Sequence, residues 1–101
     1  MAKINHGDKG FWLEFDNYTL SVQYGIHNYC ERRSSLGTST NDAEEINSKD
    51  FEMGIFDNVT DELIPLLGGE TVAGWIPVER LPEIIAAVRD SDIAKVRAVI
   101  S

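Results

Sequence analysis

The chain has 101 residues, of which 43% are hydrophobic and 26% charged, with a net charge of −8. That length and composition suit one compact domain, 1–101, and exclude wholesale disorder, while a core this small leaves no room for a large internal cavity. An acidic chain with pI near 4.5 repels phosphates, so no direct nucleic-acid binding is expected.

The charge is uneven along the chain. Between Asn41 and Glu70 stand nine acids against the single base Lys49, and the remaining residues carry eight acids and eight bases. All of the excess negative charge therefore belongs to the middle third.

Residues 1–10 read as a polar lead-in. From Gly10 the apolar residues alternate. Phe11, Leu13 and Phe15 share one face, with Trp12 and Glu14 on the other, and Tyr18, Leu20, Val22 and Tyr24 resume the pattern after Asp16-Asn17. Two alternating runs joined by an Asp-Asn pair predict a β-hairpin with a type I′ turn. Ile26 to Arg33 is ambiguous between strand, bulge and loop. Residues 34–49 are polar and predict a long connection, with room for a helical turn at Asp42 to Asn47.

Phe51, Met53 and Ile55 alternate as a third strand. Leu63 to Leu67 predicts a short edge strand, because Pro65 cannot donate to a ladder. Gly68-Gly69 marks a turn, and Thr71 to Ile76 a fifth strand. Val78, Leu81, Ile84, Ile85 and Val88 then fall at helical spacing, with Pro77 and Pro82 near the first turn. Ser91 or Asp90 is placed to cap a second helix whose apolar face is Ile93, Val96 and Ile100. The predicted fold class is α+β: an antiparallel sheet of about five strands, then two C-terminal helices packed on one of its faces.

Little in the chain suggests catalysis, so a small enzyme is the least favoured class, and no cofactor or metal is expected. Cys30, the sole cysteine, lies three residues from His27, an offset that puts the two on opposite faces of a strand. No CxxC, HxxxH or HxE spacing is present. Asp57 to Glu62 resembles a calcium loop only in part, since the sixth position is not Gly and the twelfth is Gly68. Gly68-Gly69 lacks the following Lys-Ser/Thr of a phosphate loop. The N-terminus has no apolar signal core and no apolar run is long enough to span a membrane, so a cytoplasmic protein without a membrane partner is expected, and the sequons at Asn17 and Asn58 carry no weight.

Two surfaces are candidates for binding. Tyr24, His27, Asn28, Tyr29, Arg32 and Arg33, with Trp75, combine stacking faces, an amide and guanidinium forks, as a site for a phosphorylated small molecule does. The same residues also read as an ordinary strand end. Asp42, Glu44, Glu45, Asp50 and Glu52 form the acidic alternative, suited to a basic surface of a partner protein.

The run Asn17-Tyr18-Thr19-Leu20-Ser21-Val22-Gln23-Tyr24-Gly25, then Asn28-Tyr29-Cys30 and Arg33, resembles a motif of small phage and prophage proteins. Gly74-Trp75-Ile76-Pro77-Val78-Glu79 is similar to their C-terminal part. The likeness skips the acidic middle, and Tyr18 follows Asn17 directly where the motif often has an intervening Gly. What the resemblance implies is an accessory protein of a phage, acting in the host cytoplasm. Two mechanisms follow: blocking a host defence protein through the acidic surface, or sequestering a nucleotide signal near Tyr24 to Arg33, in a pocket that a homo-oligomer could complete.

Overall fold

In a computed structural model the described residues are 2–7, 10–24 and 49–101. The elements run β1 (Lys3–Gly7), β2 (Gly10–Glu14), β3 (Tyr18–Gln23), β4 (Asp50–Asp57), β5 (Glu62–Leu63), β6 (Ala73–Pro77), α1 (Leu81–Arg89) and α2 (Ile93–Ile100), with a 3-10 turn at Val78–Arg80 before α1. The fold is the α+β arrangement expected: an antiparallel sheet followed by two helices.

The sheet order is β1-β2-β3-β4-β5, with β6 also paired to β4. Strand β4 is thus the spine. On one edge it meets β3 along nearly its whole length; on the other it meets β6 at Asp50–Met53 and β5 at Phe56–Asp57.

Strand β1 was not expected. Its sequence, Lys-Ile-Asn-His-Gly, has one apolar residue, and that residue, Ile4, is 67% exposed. No periodicity marks an edge strand of this kind, which is held by its backbone ladder to β2. Gly10 begins β2 at a close approach. A Cβ there would lie 1.9 Å from the Val22 carbonyl oxygen.

The β2–β3 hairpin forms as the alternation predicts, with Leu13 opposite Leu20 and Phe11 opposite Val22. Phe15 N donates to Tyr18 O at 2.8 Å and closes the two-residue loop. The turn type differs from expectation, because neither Asp16 nor Asn17 has positive φ. Instead the loop is braced from outside: Asn58 N donates to Asn17 O at 3.0 Å and Asn58 Nδ2 to Phe15 O at 2.8 Å.

One face of the sheet carries the core. Leu20, Val22, Phe51, Met53 and Ile55 bury themselves against Ile84, Ala87 and Val88 of α1 and Val96 and Ile100 of α2. Phe11, Leu13, Phe15, Tyr18 and Tyr24 pack at its margin. Val78 does not join the buried helix face and is 41% exposed. It sits in the 3-10 turn, where residues three apart eclipse, so it aligns with Leu81 rather than with Ile84 and Val88.

The cap of α2 is also shifted from expectation. Asp92 Oδ1 accepts from Lys95 N at 3.2 Å. Ser91 instead adopts a left-handed φ of 59° and its hydroxyl accepts from Asn17 Nδ2. Arg97 donates to Pro65 O at 2.7 Å, tying α2 to the segment after β5. Among the described residues no helix is long and apolar enough to cross a membrane.

Candidate functional site

The pairing registers sort the strand residues onto two faces, since neighbours along a strand point oppositely. Opposite the core, one lateral row runs Lys3, Glu14, Thr19, Phe56, Leu63, and the next runs Asn5, Trp12, Ser21, Gly54. Gln23 and Glu52 form a third pair, and Asp50 lies two residues before Glu52 on β4. No described helix covers this face.

Within it lies an open groove of about 560 Å³, lined by Asn5, Trp12, Glu14, Thr19, Phe56, Asn58 and Asp61. Trp12 stands on β2 and Phe56 on β4, two strands apart and in adjacent rows, so about 12 Å separate them at the backbone. The short Thr19, beside Phe56 and diagonal to Trp12, forms the floor. Its hydroxyl donates to Asn58 Oδ1 at 2.7 Å. Asn58 is therefore engaged through its amide nitrogen, its amide oxygen and its backbone N–H, and holds the β4–β5 turn over the end of the β2–β3 hairpin.

The turn itself comes from the segment that partly resembles a calcium loop. Asp57 Oδ1 accepts from Val59 N at 2.8 Å, and Asp57 O accepts from Asp61 N at 2.7 Å. These bonds curl the chain back and leave Asp61 at φ 60° beside the groove. An aspartate tolerates that backbone conformation better than most residues do.

The electrostatics of the groove are negative. Glu14 and Asp61 line it, and among the described residues no base does. Glu14 Oε2 accepts from Asn5 Nδ2 at 2.8 Å and lies 3.8 Å from Lys3 Nζ. Among the described strand residues Lys3 is the one base on this face, which also carries Glu14, Asp50 and Glu52. Elsewhere, Arg89 donates to Asp90 and holds its carboxyl below the ordinary carboxylate range.

No protein-family model, curated protein or solved structure matches the chain.

The residues singled out from sequence are distributed as follows. Asp50 and Glu52 lie on the open face with the groove. Tyr24 packs partly buried against the core, on the opposite face. Trp75 is 54% exposed, with a left-handed φ of 57°, where β6 carries one extra residue against β4 between Phe51 and Met53. Such a conformation costs a bulky residue about 1–2 kcal/mol, so neighbouring structure holds the indole outward. His27, Asn28, Tyr29, Cys30, Arg32, Arg33, Asp42, Glu44 and Glu45 lie outside the described residues, as does the segment 34–48 of the polar connection.

Trp12, Glu14 and Phe56 lie outside both surfaces that the sequence suggests, and Asp61 falls only within the calcium-like stretch. A signal existed for two of them. Trp12 and Phe56 are large aromatics at positions that the alternation assigns to the polar side.

Proposed function

We propose that this chain is a non-catalytic binding protein that docks its acidic sheet face on a basic surface of a partner protein and blocks it. One observation carries the reading: Glu14 on β2, and Asp50 and Glu52 on β4, far apart in sequence, share one sheet face that no described helix covers. Like charges gathered on one face steer a partner of opposite charge and suppress association with anions. The motif resemblance supports a phage-type accessory protein, and a basic, nucleic-acid-binding host defence protein is the natural target of such a face.

The test is phage plating on host strains that each carry one defence system, with and without the chain. The reading expects restored plating in one strain, and a stoichiometric complex with that system's protein that dissociates as salt rises to about 0.5 M. Protection by the chain at far below stoichiometric amounts would instead indicate turnover, and would sink the proposal.

A further inference from the structure

We infer that the groove is the seat of one arginine side chain of that basic partner, its guanidinium lying between Trp12 and Phe56 and paired with Glu14 and Asp61. The inference rests on the acidic docking proposed above and names the chemistry at its centre.

A guanidinium is planar, weakly hydrated and permanently charged; it stacks on aromatic faces and forks onto carboxylates. The groove offers both features in one place. Trp12, diagonal to the low Thr19, and Phe56, beside it, both line the groove, and the two carboxylates stand at the same opening. Glu14 uses Oε2 for Asn5, and no described residue donates to its other oxygen. The Asp61 carboxylate accepts no hydrogen bond from a described residue. Lys3 approaches Glu14 only to 3.8 Å with a side chain 66% exposed, and a loose exposed pair of this kind yields readily to a better-placed cation.

Other occupants fit less well. An anion would face two carboxylates. An apolar peptide would leave Asn5, Thr19 and Asn58 beneath it. A second copy of this chain would bring a net charge of −8 to a negative face. A lysine satisfies the charge but has no plane to set against the rings.

The test titrates the full chain, by heteronuclear NMR at low salt, with a capped octapeptide carrying two arginines, then with its lysine and citrulline analogues. The indole signals of Trp12 and Trp75 are distinguished with Trp75→Phe. The arginine peptide should shift the Trp12 indole and the Asn5, Thr19 and Asn58 amides, with the lysine analogue about fivefold weaker or more and the citrulline analogue silent. Trp12→Ala and Asp61→Asn should each weaken the arginine peptide about fivefold or more. Asp61 lies in an exposed turn, so Asp61→Asn reports on the groove without disturbing the core. Equal binding of arginine and lysine peptides that ignores both substitutions overturns the arginine seat and leaves acidic docking standing. Absence of binding by either basic peptide overturns the seat and counts against acidic docking as well.

Discussion

The side-chain amide of Asn58 donates to the backbone carbonyl of Phe15 at 2.8 Å across 43 residues of sequence. Through this bond, and those to Thr19 and Asn17, one residue in the β4–β5 turn fixes the end of the β2–β3 hairpin. Asn58→Ala removes both side-chain bonds and should lower stability by about 1–2 kcal/mol. Asn58→Asp keeps the acceptor for Thr19 and loses the donor, so it should fall between. Urea unfolding checks both, and a variant as stable as the parent would mean the bonds are replaced by water at no cost.

Leu20 is fully buried at the centre of the core. Leu20→Ala should cost about 2–5 kcal/mol, a large share of the roughly 5–15 kcal/mol typical of a domain. Leu20→Asp should abolish the cooperative transition. Trp12 lies on the opposite, open face, so Trp12→Ala should cost clearly less than Leu20→Ala in the same measurement. The reverse order would mean the faces are exchanged.

Gly10→Ala places a methyl 1.9 Å from the Val22 carbonyl oxygen, a backbone atom that cannot yield without opening the β2–β3 ladder. A loss of about 3 kcal/mol is expected. At Gly68 nothing lies within 4 Å of an added Cβ, but φ is 59°, so Gly68→Ala should cost only about 1 kcal/mol. Thermal unfolding of the two variants side by side separates steric collision from backbone strain.

Trp75 holds a left-handed backbone while half exposed. Replacing it with glycine relieves the backbone strain and removes an indole that is largely outside the core. Trp75→Gly should therefore leave stability within about 1 kcal/mol of the parent or raise it. A loss well beyond that would show the indole to be a structural prop of the β6 bulge.

Acidic docking and nucleotide sequestration separate by their response to substitution. Reversing Asp42, Glu44 and Glu45 to Lys should weaken the binding of a basic partner and flatten its salt dependence, because charge acting at range is then lost. Under sequestration the same change matters little, and Arg32→Ala, Arg33→Ala or Tyr29→Ala removes a phosphate fork or a stacking face. A thermal-shift screen with cyclic and linear nucleotides decides: a hit that survives the triple reversal and vanishes in Arg33→Ala overturns acidic docking.

Alternation and spacing sufficed for the sheet-plus-helices architecture. Leu20 and Val22 on β3, Phe51, Met53 and Ile55 on β4, and Ile84, Val88 and Val96 on the helices were legible as core because burial imposes a period of two on strands and 3.6 on helices. The edge strand β1 was not legible, since a strand held by its backbone ladder and polar side-chain contacts needs no apolar pattern. The turn at Asp16-Asn17 escaped for a related reason: its geometry is set by Asn58, a partner distant in sequence. The acidic excess of 41–70 could be counted from composition, but not where its carboxylates lie. Register alone placed Asp50 and Glu52 on the same face as Glu14, and the curl of the β4–β5 turn brought Asp61 to Trp12 and Phe56. A groove between strands depends on which residues stand side by side across the ladder, and that relation exists only once the chain has folded.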